Sequence, residues 1–397
     1  MTSYWLETSL ISGEPTPPNE GGIVVVGSGL SGVSTAYWLL EHGFDDITIV
    51  DHQPEKAASY RNCGHILNGT VESMQALVAL HGEQDAREIW QFSVDICQEV
   101  GNTINKLAID AEYANAGYLV MAIDEAEVNE IHESIKLLNS FGFHSEFVHK
   151  EDLFKLGFRN VLGGRFEATS AQAHPVKFRN GLLQDCLSRG VKYHSQIEVK
   201  SVEESNSKVE LRFNNNELRL FDAAVIATNA YSPLLSSFFK SRRLVEPFKG
   251  QIITSKPMAK PIKISYPHSF DHGYEYALRT ADNRLMIGGW RNNTPSGEIG
   301  SFDSNVNEAV QEGLKEFVQN HYHLEEDIEW QHSWAGVMAT SKTGLPFIGP
   351  TNSPLIFSVA GYTGHGFSWA HGSSKLLAQI IAGAPTPKVA RHFNPCH

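Results

Sequence analysis

Near its N-terminus the chain reads Ile23-Val24-Val25-Val26-Gly27-Ser28-Gly29-Leu30-Ser31-Gly32, an apolar run that ends in a glycine-rich turn. A helical pattern follows as far as His42, and a second apolar run, Ile47-Thr48-Ile49-Val50, leads to Asp51. This spacing predicts a strand, a glycine turn, a helix and a second strand that ends in an acid.

Each glycine of this turn has its own task in binding a dinucleotide. Gly27 permits the tight turn, Gly29 lets the backbone approach a pyrophosphate, and Gly32 lets the helix pack closely on the strand. The helix N-terminus then faces the phosphates, and Asp51 accepts hydrogen bonds from a ribose. An ordinary glycine-rich turn in an α/β unit would not explain Asp51, so the stretch predicts dinucleotide binding.

Length and composition are typical of a water-soluble enzyme with more than one domain. The 397 residues exceed the roughly 250–300 at which a single core stops growing. The net charge of −13 argues against nucleic acid and against an anionic membrane surface as partners. No apolar run approaches the roughly 18 residues that span a bilayer, and residues 1–22 lack the features of a signal peptide. We therefore expect a cytoplasmic protein without a membrane span.

The four cysteines and the histidines give no sign of a metal centre. The cysteines are widely scattered without a CxxC pair, which disfavours a disulfide framework or a zinc site. His268 and His272 are close in sequence but lack carboxylate partners at ligand spacing, so we expect no metal.

A second strand, glycine turn and helix lie near the C-terminus. The strand-like run 355–359 precedes Gly361-Tyr362-Thr363-Gly364-His365-Gly366-Phe367, and a helical pattern continues to Ile381. A nicotinamide enzyme has no need of this second turn. FAD is longer, and a helix N-terminus at this place can stabilise negative charge on the reduced isoalloxazine. Two distant glycine turns therefore favour FAD over NAD.

The rest of the chain shows alternating helical and strand-like patterns. They predict helices over 72–107, 175–189 and 306–320, a strand over 117–123, a helix from Asp124 to Gly142, a hairpin over 209–220, and several strands over 246–290.

Further stretches resemble the FAD-dependent D-amino-acid oxidase family, which includes sarcosine oxidase, glycine oxidase and gamma-glutamylputrescine oxidase. Beside the first turn with Asp51, they are Ser59-Tyr60-Arg61-Asn62-Cys63-Gly64, Ala227-Thr228-Asn229-Ala230-Tyr231-Ser232, Trp334-Ala335-Gly336, Leu345-Pro346-Phe347-Ile348-Gly349 and Gly364-His365-Gly366. They follow the family's order over nearly the whole chain. Ser3-Tyr4-Trp5, the Arg-Asn-x-Gly stretch and the Trp-x-Gly segment look closest to the gamma-glutamylputrescine oxidase branch.

The resemblance implies an α/β fold with a Rossmann-like FAD-binding domain of the glutathione reductase type and an α+β substrate domain built on an antiparallel sheet. The FAD-binding domain would be discontinuous, with residues 21–75, 165–245 and 331–385. The substrate domain would take 76–164 and 246–330, between an N-terminal arm (1–20) and a C-terminal tail (386–397).

The resemblance also implies which residues contact FAD. They are Gly27, Gly29, Leu30, Ser31, Gly32, Asp51, His52, Arg61, Asn62, Cys63, Gly64, His65, Val199, Thr228, Asn229, Gly336, Gly364, His365, Gly366 and Phe367. For Arg61 and Asn62 the alternative is a surface turn without a role in binding. Cys63 is expected to be a small packing residue, and His65 could either line the flavin site or have a structural role. No cysteine lies between Cys186 and Cys396, where some members tether the flavin, so we expect FAD to be bound non-covalently.

The reaction implied is oxidation of an amine. A hydride leaves the α-carbon for flavin N5, the imine is hydrolysed, and O2 reoxidises the flavin to give H2O2. Such a hydride transfer depends on an unprotonated amine and on alignment of the substrate with the flavin. No acid–base dyad is therefore required. Tyr274, Tyr276 and Trp290 are candidates for an aromatic wall around the amine, with plain sheet core as the alternative.

Two departures from the family concern the substrate and the oxidant. Met338 stands where amino-acid oxidases place an arginine for the substrate carboxylate, so that Arg279, Tyr276 or Arg291 would have to replace it. Met286 stands where sarcosine oxidases place a lysine that promotes oxygen activation. The catalytic candidates are Lys249, Tyr276, Met286 and Trp334, and the substrate-binding candidates are Tyr274, Tyr276, Arg279 and Met338. For Lys249, a solvated lysine on a strand edge is the alternative.

We therefore predict an FAD-dependent oxidoreductase, an oxidase, that acts on the C–N bond of a small or medium primary or secondary amine or an amino acid. One alternative is a flavin dehydrogenase or monooxygenase with another electron acceptor. That class includes a flavoprotein that modifies a residue on a partner protein during quinone-cofactor maturation. An alternative of another class is a non-catalytic FAD-binding subunit.

Overall fold

The computed structural model describes residues 3–396, which form ten α-helices and nineteen β-strands. The helices are α1 (Leu30–Glu41), α2 (Met74–His81), α3 (Glu83–Lys106), α4 (Glu125–Ser140), α5 (Lys150–Lys155), α6 (Pro175–Ser188), α7 (Ser232–Leu235), α8 (Ser237–Arg242), α9 (Glu308–His321) and α10 (Gly366–Ile381). The strands are β1 (Ile23–Val26), β2 (Ile47–Val50), β3 (His65–Ile66), β4 (Tyr118–Ala122), β5 (Glu146–His149), β6 (Gly163–Glu167), β7 (Ala171–Gln172), β8 (Lys192–His194), β9 (Val199–Ser205), β10 (Lys208–Phe213), β11 (Leu218–Phe221), β12 (Ala223–Ile226), β13 (Val245–Ser255), β14 (His268–Phe270), β15 (Glu275–Arg279), β16 (Leu285–Gly288), β17 (Trp330–Ser341), β18 (Phe347–Pro350) and β19 (Ile356–Ala360).

A six-stranded sheet carries the first glycine turn. Its strand order is β18-β19-β12-β1-β2-β8, and every pair except β18 with β19 is parallel. The four residues of β1 are all buried, as expected for a central parallel strand that is covered on both faces. This sheet confirms the predicted Rossmann-like arrangement.

Helices α1 and α10 pack on each other through buried hydroxyl and imidazole groups. The Oγ of Ser34 lies 2.9 Å from Nδ1 of His371, and Nε2 of His371 lies 3.0 Å from Oγ1 of Thr103 on α3. The Ser374 hydroxyl donates to the Ser31 carbonyl at 2.9 Å. Small side chains at these positions let two helices that are more than 300 residues apart in sequence come close.

The second large sheet of the fold has eight strands and is mostly antiparallel. Its order is β17-β13-β16-β15-β14-β4-β6-β5, and β14 with β4 is its parallel pair. The predicted division assigned residues 331–385 to the FAD-binding domain, yet β17 pairs with β13 along the whole of β13 in this sheet. Pairing along the whole of β13 makes β17 an edge strand of this sheet. The domain limits themselves stay a prediction.

Most predicted elements are present, with one clear difference at 72–107. The segment folds as two helices, α2 and α3, separated by Gly82 at φ +80°. A left-handed residue interrupts the helical hydrogen bonds, and glycine adopts this conformation without strain. Elsewhere Asp124 caps α4 by accepting from the N–H of Glu127, as its position before the helix predicted.

The cysteines are free thiols, and Cys63, Cys97 and Cys186 are buried. Within residues 3–396, none of the helices combines the length and the hydrophobicity that crossing a bilayer requires.

Buried neutral histidines should make the fold sensitive to acid. Burial lowers the pKa of His371 to about 3 and that of His268 to about 4. Because unfolded histidine takes up its proton near pH 6.5, stability from these groups is present above that pH and is lost as pH falls toward 4.

We expect His371→Leu to lower the melting temperature at pH 7, because two buried hydroxyls lose their partner at a cost of about 1–3 kcal/mol each. When the pH is lowered from 6.5 to 4.5, the melting temperature of His371→Leu should decrease less than that of the parent protein. Thermal unfolding across this range measures both effects, with exposed His42→Gln as the matched control. An unchanged pH slope in His371→Leu would contradict the assignment.

Candidate active site

A continuous cavity of about 1140 Å³ runs from the first glycine turn, past the second, to one face of the eight-stranded sheet. Residues from Val26 to Ala370 contribute to its lining. The predicted site residues that line it are Gly27, Gly29, Leu30, Ser31, Asp51, His52, Arg61, Asn62, Cys63, His65, Val199, Thr228, Asn229, Tyr274, Tyr276, Gly336, Met338, Gly364, His365, Gly366 and Phe367.

The first end of the cavity is formed by the glycine turn and Asp51. The N–H of Ser28 donates to Oδ2 of Asp51 at 2.5 Å, and the N–H of Gln53 donates to Oδ1 at 3.0 Å. Burial raises the pKa of Asp51, while these two backbone donors oppose that shift. Gly27 has φ +108°, and a side chain there would meet the Ala227 carbonyl at 2.8 Å. The turn therefore needs glycine at 27, as predicted.

Two predicted cofactor residues lie outside the cavity lining of the described chain. A Cβ atom at Gly32 would lie 1.8 Å from the carbonyl oxygen of Gly27, so this glycine allows α1 to approach the turn. Gly64 has φ +82°, and a Cβ there would lie 2.7 Å from the Ala173 carbonyl. Both positions serve backbone packing beside the cavity.

The second glycine turn meets the first inside the same cavity. Gly364, His365, Gly366 and Phe367 line the cavity where α10 begins. The hydroxyls of Ser31 and Tyr362 lie 2.7 Å apart and link the two turns directly. The positive ends of two helix dipoles are thus brought to one space, which suits the negative charges of a pyrophosphate and of a reduced flavin.

Arg61 and Asn62 are held by backbone groups at the middle of the cavity. Nη1 of Arg61 donates to the Ala335 carbonyl at 2.7 Å, and its Nε donates to the Glu55 carbonyl at 3.0 Å. Oδ1 of Asn62 accepts from the N–H of Gly64 at 2.7 Å. These bonds fix a turn that sequence patterns alone left open as a surface loop.

His65 lines the cavity as a neutral imidazole. Its Nε2 lies 3.0 Å from the Ala277 carbonyl, and a carbonyl can only accept, so Nε2 carries the proton. Burial lowers the pKa of His65 to about 3, which keeps the ring neutral at physiological pH. The neighbouring rings of Tyr118 and Tyr276 lie 5.5 and 6.2 Å away. Burial also raises the pKa of Cys63, which therefore stays a thiol.

The far wall of the cavity is one face of the eight-stranded sheet. Tyr118 on β4, Tyr276 on β15, Gly250 on β13 and Met338 on β17 all line it. A Cβ atom at Gly250 would lie 2.5 Å from Cε of Met338 and 3.4 Å from the hydroxyl of Tyr276. Glycine at 250 thus leaves space for these two side chains beside each other.

Lys249 does not reach the cavity. Its neighbours Phe248 and Gly250 line the cavity, and alternate residues of a strand point to opposite faces, so Lys249 points away. Its Nζ lies 2.8 Å from Oε2 of Glu298 and 3.5 Å from Oδ2 of Asp303, and it donates to the Asn305 carbonyl. The lysine is buried and ion-paired, which contradicts both a solvated edge lysine and direct contact with a substrate.

Four other candidates also lie outside the cavity lining of the described residues. Met286 is fully buried in a cluster with Trp334, whose indole donates to the Arg61 carbonyl at 2.9 Å. Arg279 donates to the Ile262 carbonyl at 2.9 Å. Trp290 packs on α9, where a Cβ at Gly313 would lie 2.0 Å from its Nε1. These placements correct the predicted direct contacts of these side chains with a substrate.

Several positions of the site lie in segments that the sequence marked, but the residues themselves were not predicted. Ser59 accepts from the N–H of Leu30 at 2.7 Å and so completes the first turn. Tyr362, within the second glycine turn, and Tyr118, on the predicted strand 117–123, both line the cavity. Arg291, one of the alternatives for carboxylate binding, lies over the rings of Phe248 and Tyr274 at 4.8 and 5.0 Å and lines the cavity.

Acidic groups surround one rim of the cavity. Ligand atoms of Glu127, Asp271 and His272 lie within 4.8 Å of one another. Both oxygens of Glu127, however, already accept backbone N–H groups, from Ile123 at 2.8 Å and from His272 at 2.9 Å. Burial and the nearby Asp271 raise the pKa of Glu275 to about 8.

The cavity fits an FAD molecule. Two helix N-termini face it, Asp51 ends β2 beside it, and its length joins both glycine turns to the sheet. The fold and the cavity therefore define an FAD-dependent oxidoreductase. A model of the family described as FAD dependent oxidoreductase matches residues 22–380, and the chain belongs to this family.

Relatives of known name agree with this assignment. The chain is 25% identical over 366 residues to the "Probable oxidoreductase OrdL" of Haemophilus influenzae, covering 91% of this chain and 83% of that protein. Glycine oxidase from Geobacillus kaustophilus superposes with a TM-score of 0.79 at 18% identity, covering 95% and 98% of the two chains. L-Proline dehydrogenase from P. horikoshii superposes with a TM-score of 0.76 at 20% identity, covering 96% and 98%. These two structures share the fold.

Glu275 should reduce stability as pH rises. In the folded protein its pKa is about 8, above the ordinary value of 4.5. The contribution of its carboxyl to the free energy of unfolding is therefore fully present below pH 4.5 and is lost as pH rises through 8.

We expect Glu275→Gln to be the more stable protein at pH 8, by on the order of 3 kcal/mol, and to equal the parent near pH 4. Glutamine keeps an acceptor for the N–H of Trp290, which donates to Oε1 of Glu275 at 3.1 Å. Urea unfolding at the two pH values measures the difference. Exposed Glu316→Gln is the control, and equal effects of both substitutions would disprove the assignment.

Proposed function

We propose that the protein oxidises the C–N bond of a small or medium amine or amino acid with non-covalently bound FAD, and that O2 takes up the electrons to give H2O2. The observation that carries the proposal is the aromatic wall of the cavity around His65. The ring of His65 and the neighbouring rings of Tyr118 and Tyr276, which belong to the eight-stranded sheet, are neutral and line the cavity.

This wall favours the reactive form of an amine. Only an unprotonated amine can lose a hydride from its α-carbon, and a desolvated environment lowers the pKa of an ammonium group. The carboxylate of Glu167, which lines the cavity opposite Tyr118, is ion-paired with Arg165 at 2.9 Å. The Tyr118 and Tyr276 hydroxyls stay protonated because burial raises their pKa. Neutral His65, with the proton on Nε2, adds no charge that would repel or trap the substrate.

The chain's own residues would hold FAD at three places. Asp51 would offer carboxylate oxygens to the ribose, the N-terminus of α1 would bind the pyrophosphate, and the N-terminus of α10 would stabilise negative charge on the isoalloxazine. FAD, when bound, supplies a two-electron acceptor next to the substrate. Cys63 is the cysteine that lines the cavity among the described residues, and its buried thiol has no feature of an activated nucleophile, which supports non-covalent binding.

A carboxylate on the substrate would be recognised by Arg291. Met338 lines the cavity and offers no charge, and Arg279 is turned away. The guanidinium of Arg291 is held by two aromatic rings and by the Gly297 carbonyl at 3.4 Å, which leaves donors for a carboxylate.

A second candidate function is a flavin dehydrogenase with another electron acceptor. Among the described residues that line the cavity, Lys56 is the lysine, and it lies beside Gln53 and Ala57 at the end where the first glycine turn is found. The far wall thus lacks a lysine that would promote oxygen activation.

The test is anaerobic mixing of the yellow protein with a panel of primary amines, secondary amines and amino acids, followed by O2. We expect one class to bleach the flavin absorption within seconds and O2 to restore it with stoichiometric H2O2. Bleaching without peroxide would favour the dehydrogenase. A flavin that no amine or amino acid bleaches would refute the proposal and leave a protein-modifying enzyme or a non-catalytic subunit. Acid precipitation should release all of the flavin into solution.

We expect Arg291→Met to raise KM for a carboxylate-bearing amine at least tenfold and to leave KM for an uncharged amine within twofold. The reason is that methionine keeps the apolar stem over the two rings but cannot pair with a carboxylate. Arg279→Met, which removes a guanidinium outside the cavity, is the matched control. Equal effects on both kinds of substrate would contradict the role.

A further inference from the structure

A buried arginine lies directly behind the first glycine turn. Arg179, on α6, has no exposed surface. Its Nε donates to the Ser28 carbonyl at 3.0 Å, and its Nη1 donates to Oδ1 of Asn180 at 3.0 Å. The guanidinium lies between the rings of Tyr60 and Tyr193, each 5.6 Å away.

This cation is incompletely compensated by the protein. In the described part of the chain, Nη2 of Arg179 has no hydrogen-bond partner, and no carboxylate forms an ion pair with it. Asp51 is near enough for the positive charge to oppose the burial that raises the pKa of that carboxyl. A buried charge without a partner costs free energy, so an additional anion nearby would stabilise this arrangement.

The hydrogen bond from Arg179 also sets the direction of a peptide group. In a trans peptide the C=O and N–H groups point in opposite directions. Arg179 holds the Ser28 carbonyl toward α6, on the side away from the cavity, because Arg179 does not line it. The N–H of Gly29, which belongs to the same peptide, is therefore directed to the cavity side, where Gly29 lies in the lining.

The preceding peptide is fixed as well, because the Ser28 N–H donates to Asp51. Ser28 is thus held at both its amide and its carbonyl by two groups of opposite charge. The glycine turn has no side chains of its own at 27 and 29 that could impose this orientation.

We propose that Arg179 is a positioning residue for the FAD pyrophosphate. It directs the Gly29 N–H toward the pyrophosphate, and its buried positive charge behind the turn is compensated by the negative charge of the pyrophosphate. The residue does not contact the cofactor. This role is independent of the amine that the enzyme oxidises.

The test compares two competitors for FAD on the full-length protein. Fluorescence of released flavin gives the dissociation constant of FAD and the competition constants of ADP, which carries a pyrophosphate, and adenosine, which does not. For Arg179→Met we expect FAD and ADP to bind at least tenfold more weakly while adenosine changes less than twofold. Arg179→Lys, which keeps the charge but loses the planar fork, should fall between the two proteins.

The matched control is Arg284→Met. Arg284 is also buried beneath a tyrosine, 5.1 Å from the ring of Tyr4, but it is paired with Asp282 outside the cavity lining. We expect this variant to lower the melting temperature and to leave the ratio of ADP to adenosine affinity unchanged.

Equal weakening of ADP and adenosine in Arg179→Met, or an unchanged ADP constant, would overturn the proposal in favour of a purely structural arginine. If Arg179→Met does not fold, the same comparison on Arg179→Lys decides. An unchanged ratio of the two constants in that variant would overturn the proposal as well.

Discussion

The packing of α1 on α10 is the contact on which the rest of the site depends. Ser34 and Thr103 hold His371 between them, and Ser31 meets Tyr362 where both helices begin. These hydrogen bonds are buried and replace the bonds that the same groups make to water in the unfolded chain. Removing one partner would leave a buried polar group unsatisfied, at a cost in the free energy of folding. Because residues 31–35 of α1 contact residues 371–374 of α10, and Ser31 contacts Tyr362 just before α10, the N-termini of both helices open into one cavity. A single ligand can therefore use both dipoles.

The opposite wall of the cavity follows from the alternation of strands. Six of the eight strands line the cavity: β17 contributes the five residues 336–340, and the others contribute one or two each, such as Tyr118, Tyr276 and Gly250. On β13 the residue between two lining positions faces away, and there Lys249 pairs with an acid and donates to a carbonyl. The chemistry of the wall is thus assembled from a few positions on each of several strands that are distant in sequence.

Local spacing was sufficient to predict the cofactor end of the site but not the substrate end. The glycine turns and Asp51 act through backbone geometry within short segments, and such geometry is encoded by neighbouring residues. Which residues reach the cavity depends instead on how distant strands pair and on what packs over them. Lys249 faces away from the cavity, whereas Met286 shares the face of Tyr276 but is covered by Trp334 and its neighbours. Arg179 had no local signal, since the carbonyl to which it donates is 151 residues away in sequence.

The cavity's lining begins at Val26 and ends at Ala370, so the pocket is built from segments that are synthesised far apart in time. During translation, the first glycine turn emerges long before α10, whose N-terminus closes the other side of the space. Until α10 has formed, the site lacks one of its walls. Cofactor capture therefore has to follow the synthesis of α10, and a chain cut short before α10 would lack the second helix N-terminus of the site.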